Sequence, residues 1–407
     1  MKKHYFLGLA AGYSGRQIWR HTFTIGREKD RAALQRFLTQ KYKGQAILTK
    51  NGRSALALAL KAYFEPGDAV IVNGFTCYAV YEAIKAAKLI PIWADINKSD
   101  LNFDTYTLEG LISDSKISGD SRPYATNEER NERSSARNDG SERASRELPK
   151  SYSSMKGIIV QNSLGSPVDI VAIEKFAKKH NLTIIEDLAH CAGVKYADGR
   201  EAGTVGAATA LSFGKDKAVD TISGGAVVLR CPCKTAIEAP SKLPKISDTL
   251  RARFYPLFGA ISRGLSYVHL GGLLTRCLVK IHWIEKSADN KLDLERKIAK
   301  FEARLALRQL KDLKKSGEPL LREFYLVRDR AEVLKRLQEN GYYFGGFWYE
   351  KPVSPERYYK KVHFPEDKCP VATEVAAKII NFPTYYEARA LKRAHEIISE
   401  YIEEDKK

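Results

Sequence analysis

Short, nearly continuous apolar runs alternate in the first part of the chain with stretches where apolar residues recur every three or four positions. The short runs are rich in β-branched residues, which predicts buried strands. We predict strands at Ala69–Val72, Ile90–Trp93, Gly157–Val160, Thr183–Ile185, Ala208–Phe213 and Ala226–Leu229. We predict helices at Ser54–Phe64, Tyr78–Lys88 and Asp169–His180. The alternation predicts an α/β fold whose mostly parallel central sheet is covered by helices on both faces, with ligands at the carboxyl ends of the strands.

Two segments depart from this alternation. Ser113–Ser154 is rich in Ser, Arg, Asn and Glu and cannot bury enough apolar surface to order itself, which predicts a flexible insertion. Its mixed charge permits nucleic-acid binding, but a solvated loop is the better interpretation. Arg251–Trp283 is apolar and aromatic with interspersed basic residues, and no acidic residue occurs from Thr249 to Ile284. Such a segment can lie on an anionic membrane surface, or it can pack as a helix pair between domains or subunits.

The last part of the chain predicts a smaller α+β unit. A long charged amphipathic helix is expected over Lys291–Lys315 and another helix over Arg328–Asn340. A Gly/Tyr-rich loop follows over Gly341–Trp348, and a final helix begins at Glu387. The predicted domains are a large cofactor-binding α/β domain over 1–235, a basic amphipathic helical connector over 236–300 and a small C-terminal α+β domain over 301–407.

The formal net charge of +18 over 407 residues favours anionic partners such as nucleic acid, anionic lipid or phosphorylated metabolites; the alternative is a generally basic, soluble surface. The six cysteines show neither a CxxC pair nor zinc-site spacing, so we expect no metal and interpret them as free thiols in a reducing cytoplasm. The N-terminal stretch MKKHYFLGLAAGYSG has an apolar part at the short edge for a signal peptide, and no apolar run is long enough to cross a bilayer. We therefore expect a cytoplasmic protein.

Two stretches of the predicted α/β domain suit a phosphorylated aromatic cofactor. TKNGRSALALAL, residues 49–60, starts a helix whose N–H groups and dipole suit a phosphate, and Ser54 adds a hydroxyl, although Ser is also a common helix cap. LTIIEDLAHCAG, residues 182–193, places Asp187 at the end of a strand and His190 three residues later. A buried carboxylate would keep a pyridine nitrogen protonated, which strengthens an electron sink; the alternative is an Asp that caps the next turn.

A third stretch, SFGKDKAVDTISGG, places lysines just past a buried strand. Partial desolvation lowers the pKa of such a lysine, so that its neutral amine can attack a carbonyl, as in a Schiff base with pyridoxal phosphate. Gly224 and Gly225 permit close backbone approach before the next strand. The order of phosphate-binding helix start, Asp187 and then Lys217 thirty residues later is more specific than any one of these signals.

In this order and spacing the chain resembles the DegT/DnrJ/EryC1/StrS family, the sugar aminotransferases of pyridoxal-phosphate fold type I. The family patterns SGTxAL, PGDEVIVP, iEDaAQ/H and SFxxxKxxxxGEGGAV resemble, in turn, Asn51–Leu56, Pro66–Val72, Ile185–His190 and Ser212–Val227. Further likenesses lie at Pro91–Ile96, Leu101–Asp104, Asn162–Ile173 and Cys369–Tyr386. The resemblance covers most of residues 30–230 and the C-terminal end.

The resemblance implies a role for each candidate residue. Lys217 falls at the Schiff-base position, five residues after the serine of the SF pair, and Lys215 would be a solvent-facing neighbour. Asp187 would pair with the pyridine nitrogen, and His190 would lie near the cofactor ring or phosphate. The other cofactor-binding candidates are Arg53, Ser54, Ala55 and Ser212 at the phosphate, Asn162, and Tyr78 as the stacking aromatic in place of Cys77, at which family spacing puts that position.

Some features depart from the family pattern. Ser223 replaces the glutamate of GEGG, and the insertion 113–154 is not usual. Leu294–Lys297 stands where the family has GYNxRM, whose asparagine reaches a neighbouring subunit's phosphate. These departures affect the regions that would form the sugar pocket and the dimer contact.

The resemblance implies a homodimeric pyridoxal-phosphate aminotransferase. It would transfer an amino group, from glutamate, to a nucleotide-linked keto-sugar for surface polysaccharide or glycolipid synthesis, with no nucleic-acid partner. One alternative is a pyridoxal-phosphate sugar dehydratase, which in this family goes with loss of the Schiff-base lysine. Another is a non-catalytic relative that contacts the inner face of a membrane through residues 251–283.

Overall fold

The computed structural model describes residues 5–7, 13–117, 155–230, 232–268, 270–284, 291–313, 321–344, 348–384 and 386–403. Most of the predicted insertion 113–154 therefore lies outside the described residues. Its first five residues form the end of a helix, Thr105–Ile117, so the prediction of a flexible segment is wrong for Ser113–Ile117.

The strands build one large sheet and three small pairs. They are β1 (Tyr5–Leu7), β2 (Gln45–Thr49), β3 (Ala69–Asn73), β4 (Thr76–Cys77), β5 (Ile90–Ala94), β6 (Met155–Gln161), β7 (Thr183–Asp187), β8 (Ala208–Ser212), β9 (Gly225–Leu229), β10 (Arg322–Leu326), β11 (Tyr342–Phe344), β12 (Val353–Ser354) and β13 (Ile379–Pro383). The large sheet has the order β2-β9-β8-β7-β6-β3-β5. Strand β9 is antiparallel to β2 and β8, and the other neighbours are parallel. The mostly parallel sheet is thus confirmed.

All six predicted strands are present in the large sheet, but its seventh strand, β2, was missed, as were the six short strands of the three small pairs. Strand β2 has the sequence QAILT, whose apolar part of three residues directly follows a helix and gave no separate signal. It pairs with β9 over its whole length, from Gln45 opposite Leu229 to Thr49 opposite Gly225. Tertiary pairing, more than local pattern, therefore defines this strand.

Helices flank the sheet and build the remaining units. They are α1 (Gly15–Phe23), α2 (Glu28–Tyr42), α3 (Gly52–Tyr63), α4 (Tyr78–Ala86), α5 (Thr105–Ile117), α6 (Ile170–Lys179), α7 (Ile246–Ser266), α8 (Gly271–Lys280), α9 (Lys300–Leu313), α10 (Arg330–Glu339), α11 (Glu356–Tyr359), α12 (Pro370–Lys378) and α13 (Ala388–Ile398). The helices predicted from Ser54, Tyr78, Asp169, Arg328 and Glu387 are confirmed to within a few residues at each end.

Two apolar clusters lie on the two faces of the sheet. Along β3, Val70 and Val72 pack in one cluster, whereas Ile71 between them packs in the other. Strand β6 alternates in the same way, with Ile159 facing one cluster and Ile158 the other. Because successive side chains of a strand point to opposite faces, this division shows that the sheet is buried on both sides.

Two C-terminal predictions need correction. The helix predicted over Lys291–Lys315 begins only at Lys300, because residues 291–299 instead run beside the start of α3, where Asn51 Nδ2 donates to the Lys291 carbonyl at 3.1 Å. The loop predicted over Gly341–Trp348 contains strand β11, which pairs in parallel with β1. Residues at the start of the chain therefore pack with the C-terminal unit, where Tyr5 stacks on Tyr342 at 4.7 Å between ring centroids. The three-domain division stays a prediction.

The basic apolar segment forms a helical hairpin, α7 and α8, here called the connector hairpin. Its inner side packs on the rest of the chain through Ala252, Tyr255 and Leu278, which share a cluster with Phe301 of α9. Its outer side carries exposed apolar residues, discussed below. Among the helices that the structure describes, none has the length and apolarity needed to span a membrane.

Candidate active site

The carboxyl ends of three neighbouring parallel strands bring the candidate residues to one edge of the sheet. Strand β6 ends before Asn162, β7 ends at Asp187, and β8 ends at Ser212. Gln161 lies opposite Asp187, which in turn lies opposite Ala210. A cavity of about 620 Å³, here called the large cavity, opens at this edge, and its lining includes Lys217 and His190. This volume lies within the range of small-molecule sites.

Lys217 lies half-buried in the loop between β8 and β9. Its Nζ lies 4.6 Å from the centroid of the Trp348 ring. Burial lowers the pKa of Lys217, because removal from water disfavours the charged ammonium, while the acidic groups of Cys77 and Asp187 act in the opposite direction. A lysine in these surroundings supplies a neutral amine at lower pH than an exposed lysine does.

Asp187 is the carboxylate of this edge. It is buried, and its Oδ1 accepts a hydrogen bond from the Ala189 N–H at 2.9 Å. Burial raises the pKa of Asp187, whereas this hydrogen bond and the charge of Lys217 lower it. The acid and the amine are thus close enough to influence each other's protonation.

His190 is a neutral, oriented imidazole. Its Nδ1 accepts a hydrogen bond from the Leu164 N–H at 3.2 Å, which leaves the proton of the neutral ring on Nε2. Burial lowers the pKa of His190, and the positive charges of Lys217 and Arg322 lower it further. The Trp348 ring lies against it at 5.2 Å between centroids.

The start of α3 comes very close to the end of β8. A Cβ placed on Gly52 would lie 2.4 Å from the Ser212 Cβ, so only glycine fits here. The Ser54 N–H donates to the Asn51 side chain at 2.9 Å, and the Ala55 N–H donates to the Asn51 carbonyl at 3.1 Å. The Ser54 hydroxyl donates to Asn51 Oδ1 and accepts from the Asp293 N–H. Asn51 therefore caps the helix by accepting hydrogen bonds from Ser54 and Ala55, the residues that the resemblance assigned to phosphate binding.

Two of the other candidates have structural partners. The Arg53 side chain is buried in an ion pair with Glu82. Asn162 Oδ1 accepts from the Val168 N–H at 2.9 Å, and its Nδ2 lies 3.1 Å from Cys191 Sγ. Asn162 therefore braces the turn after β6 against the segment that carries His190.

The last two candidates are Ser212, which ends β8, and Tyr78, which begins α4 directly after β4. The Ser212 Oγ accepts from the Gly214 N–H at 3.3 Å. Tyr78 stacks on Tyr358 with 4.4 Å between ring centroids. Burial and the Glu82 carboxylate raise the pKa of Tyr78, whereas the charge of Arg53 lowers it. In the Cys77–Tyr78 pair, Cys77 is the residue whose charge affects the pKa of Lys217.

Lys215 does not face solvent as expected. It is 9% exposed, and its Nζ lies 4.2 Å from the centroid of the Tyr255 ring in α7. The connector hairpin covers this lysine, which a sequence pattern taken from the sheet alone does not reveal. Lys215 and Lys217 thus line different cavities.

Sequence reasoning missed two residues of the site, Trp348 and Arg322. The Arg322 guanidinium lies 4.7 Å from the Trp348 ring centroid, on the ring that also contacts Lys217 and His190. Arg322 is buried, and its Nη2 donates to the Asn381 carbonyl at 3.1 Å. The available signals were that Arg322 is a charged residue at the start of a strand and that Trp348 is an aromatic residue in a Gly-rich stretch. Neither signal indicates that the side chain reaches the carboxyl edge of the large sheet.

The donor set fits pyridoxal phosphate at three points. A partly desolvated amine at Lys217 can hold an aldehyde, and the buried Asp187 beside it can hold a protonated ring nitrogen. The Gly52–Ser212 approach forms a narrow cradle at a helix start, which suits an anion. These are the chain's own groups that would hold such a cofactor.

Curated proteins align with a little less than half of the chain. A GDP-perosamine synthase of Escherichia coli O157:H7 is 30% identical over 194 residues, which are 47% of this chain and 42% of that protein. A pleiotropic regulatory protein of Geobacillus stearothermophilus is 27% identical over 180 residues, 44% of this chain and 38% of that protein. The chain spans less than half the length of these curated relatives.

Solved structures and a family model agree on the fold. Streptomyces venezuelae DesV superposes with a TM-score of 0.62 at 18% identity and covers 100% of both chains. A DegT/DnrJ/EryC1/StrS aminotransferase from Brucella abortus has a TM-score of 0.60 at 18% identity, over 92% of this chain and 91% of that one. These likenesses confirm the predicted fold type I architecture. Residues 20–118 and 143–237 match the family model, and the chain belongs to the DegT/DnrJ/EryC1/StrS aminotransferase family.

Proposed function

We propose that this protein is a pyridoxal-phosphate-dependent aminotransferase that acts on a keto-sugar. The observation that carries the proposal is the pairing of a buried carboxylate, Asp187, with a half-buried lysine of lowered pKa, Lys217, at the carboxyl edge of the sheet. The cofactor, when bound, supplies the electron sink for this chemistry. A Streptococcus pneumoniae sugar aminotransferase of the same fold has been solved in PLP and PMP forms, which supports this choice of cofactor.

Each residue of the site has a distinct task. Lys217 would hold the cofactor through its amine, and its Nζ, when free, would accept and donate a proton as a general base and acid. Asp187 keeps the ring nitrogen protonated, and the neutral His190 packs at the ring or phosphate. Gly52 and Ser212 shape the phosphate cradle together with the N–H groups at the start of α3. In this arrangement Arg53, Ser54 and Ala55 support the cradle, and Asn162 braces the loop of His190.

The substrate and donor are proposed from the relatives. GDP-perosamine synthases and a spore coat polysaccharide biosynthesis protein favour a nucleotide-linked keto-sugar and a surface polysaccharide or glycolipid product. We propose glutamate as the amino donor and a cytoplasmic homodimer as the working form. A sugar dehydratase is disfavoured. In this family dehydration goes with loss of the Schiff-base lysine, whereas Lys217 is present in this chain.

The visible absorbance of the purified protein tests this function. After addition of pyridoxal phosphate, we expect an absorbance band in the wild type and in Lys215→Ala, and no such band in Lys217→Ala. Glutamate should bleach the band where it is present. Lys215→Ala is the matched control, because it removes a lysine from the same loop without touching the large cavity.

The other outcomes point elsewhere. A wild type without a band in the presence of cofactor would refute the enzyme and favour a non-catalytic relative, as the name of the Geobacillus relative suggests for that protein. A band that resists glutamate would keep the cofactor and refute glutamate as donor.

We also propose that the connector hairpin contacts the inner face of a membrane. Exposed apolar residues cluster around its tip and outer helix, and they are Tyr267, Val268, Leu270, Leu273, Val279 and Ile281. Arg276 and Lys280 are exposed among them. An apolar surface with interspersed cations suits the headgroup region of an anionic bilayer.

A further inference from the structure

A second cavity, of about 260 Å³, lies between the connector hairpin, the start of α3 and the loop after β8. It is here called the basic cavity. Its lining residues are Lys50, Asn51, Lys215, Ile222, Ser223, Lys245, Asp248, Arg251, Ala252, Tyr255, Trp283 and Lys291. Five of these side chains are cationic at neutral pH, and Asp248 is the one acidic side chain among them.

The acidic residues nearby do not balance these charges. Asp248 bonds Lys50 at 2.6 Å and lies 4.0 Å from Arg251, so one carboxylate serves two cations. Asp293 lies 3.8 Å from Lys50 but makes a closer pair with Arg296, at 2.8 Å. Glu302, whose pKa is raised by burial and lowered by the charge of Lys50, is a further acidic group close to this lysine. The lining of the cavity still carries more cationic than acidic side chains, and such a surface attracts anions.

The remaining cations differ in position. Lys215 is buried against the Tyr255 ring, whose cation–π contact stabilises the ammonium without cancelling its charge. Lys245 and Lys291 are exposed at the rim and form no ion pair with another residue that the structure describes. A buried cation at the base and two at the rim surround an anion from several sides.

Neighbouring side chains hold this arrangement in place. Ser223 Oγ donates to the Lys50 carbonyl at 2.9 Å, and Asn51 Nδ2 donates to the Lys291 carbonyl at 3.1 Å. Ser223 stands where the family pattern has glutamate, so the chain lacks a negative charge that the pattern would place in this cavity. Lys245, Arg251 and Lys291 lie beyond residue 237, where the family match ends.

We propose that the basic cavity binds the diphosphate group of an anionic substrate. This inference rests on the proposed function for the rest of that substrate, a sugar whose carbonyl reaches Lys217. The loop that carries Lys215 also carries Lys217, so one loop contacts the diphosphate and the reacting end of the same molecule. The basic cavity is smaller than the one beside Lys217, which fits a site for one part of the substrate.

Calorimetric titration of the cofactor-loaded protein with inorganic pyrophosphate tests this site. The double variant Lys245→Gln/Lys291→Gln should bind about 10- to 100-fold more weakly than the wild type, because two charge-assisted contacts are lost. The control Lys29→Gln/Lys280→Gln removes the same charge from exposed lysines outside the cavity, and its affinity should stay within about twofold. Both doubles replace exposed residues and should keep the wild-type circular dichroism.

Trp283 lines the cavity and gives a second measurement. Pyrophosphate should change the intrinsic fluorescence of the wild type, and Trp283→Phe should lose this change. Titration with GDP or UDP then separates two sources of the group: tighter binding than pyrophosphate indicates a nucleotide, and equal binding indicates the phosphates alone.

Three results would overturn the inference. They are no saturable binding in the wild type, equal weakening in both double variants, and displacement of pyridoxal phosphate by pyrophosphate, which would make the cavity the cofactor's own phosphate site. Because binding is measured without turnover, a protein that transaminates but does not bind pyrophosphate refutes this inference alone. A protein that binds pyrophosphate but shows no cofactor band refutes the proposed function instead.

Discussion

At the scale of single residues, the protein places two lysines of one loop in different surroundings. Lys217 lies against Trp348 at the large cavity, and Lys215 lies against Tyr255 at the basic cavity. Burial lowers the pKa of Lys217, which favours the neutral form that acts as a nucleophile. Two residues of separation are thus enough to place the two lysines in different cavities.

Trp348 should control the protonation of Lys217. In Trp348→Ala, water reaches the amine, so the pKa of Lys217 should rise towards its ordinary value of about 10.4. Loss of the cation–π contact acts in the opposite direction, but burial is the larger influence on this pKa. The rate at which cofactor-free protein captures pyridoxal phosphate should therefore reach its half-maximum at higher pH in the variant.

A matched substitution separates this effect from general damage. Trp19 is 65% exposed on α1, so Trp19→Ala should leave the pH dependence of cofactor capture unchanged. An unchanged or lower midpoint in Trp348→Ala would mean that the ring does not keep water from Lys217.

The candidate site residues were predictable from the sequence where a reactive side chain comes soon after a buried strand. Lys217, Asp187 and His190 each come within a few residues of a buried strand, and parallel strands bring such ends together. Trp348 and Arg322 come from the C-terminal part of the chain, and their position depends on how that part folds over the sheet. The engagement of Ser54 by Asp293 was equally hidden, because the two residues lie 239 positions apart.

At the scale of elements, the start of α9 contains a buried acid. The Glu302 side chain accepts from the Ala299 N–H at 2.9 Å and caps the helix, and burial raises the pKa of Glu302 to about 7. The native state thus holds a proton that the unfolded chain releases at lower pH. For a carboxyl of raised pKa, stability is present at low pH and is lost as the pH rises from about 4 through about 7.

Glu302→Gln should remove this dependence and keep an acceptor for the Ala299 N–H. Between pH 5 and pH 8 the wild type should lose about 2–3 kcal/mol of stability that the variant keeps. Urea denaturation of both proteins at pH 5 and pH 8 measures this loss of stability. Glu28→Gln, at a side chain that is 64% exposed, is the control and should follow the wild type. Parallel pH dependence in all three proteins would contradict the raised pKa.

The connector hairpin was predicted as an amphipathic element, but its partner was left open between membrane and protein. The two sides of the hairpin differ in the structure: Ala252 and Leu278 pack inward, whereas Leu273 and Val279 are exposed. Contact between two copies through this outer side would bring cations against cations, because no acidic residue occurs from Thr249 to Ile284. Charge complementarity therefore favours an anionic bilayer.

Sedimentation with vesicles tests the hairpin. Wild-type protein should pellet with vesicles containing phosphatidylserine at low salt, and Leu273→Asp/Val279→Asp should stay largely in the supernatant. Ile25→Asp replaces an equally exposed apolar residue elsewhere on the surface and should pellet like the wild type. A wild type that stays in the supernatant at low salt, where attraction is strongest, refutes the membrane contact.

At the scale of the whole molecule, the large sheet was predictable because its strands are buried on both faces. The C-terminal part of the chain was less predictable. The runs Val70–Val72 of β3 and Ile158–Val160 of β6 are continuously apolar and buried, which is typical of a sheet covered on both faces. Strand β11 and the stretch before α9 owe their conformation to distant partners, β1 and the start of α3. Pattern alone cannot supply such contacts, since they depend on the fold of the remaining chain.

The family model passes over residues 119–142, which gives a prediction for the chain as a whole. Its matched segments hold the strands of the large sheet and every residue proposed to bind the cofactor. Deletion of residues 119–142 should therefore leave the cofactor band and its response to glutamate unchanged, with a melting temperature within a few degrees of the wild type.

A deletion of equal length within α7–α8, residues 250–273, is the contrasting variant. It removes Tyr255 and the wall of the basic cavity, and should lower the melting temperature. If deletion of 119–142 abolishes the cofactor band while the far-ultraviolet circular dichroism stays intact, this segment takes part in the site, and the interpretation of this part of the insertion as a solvated loop is wrong.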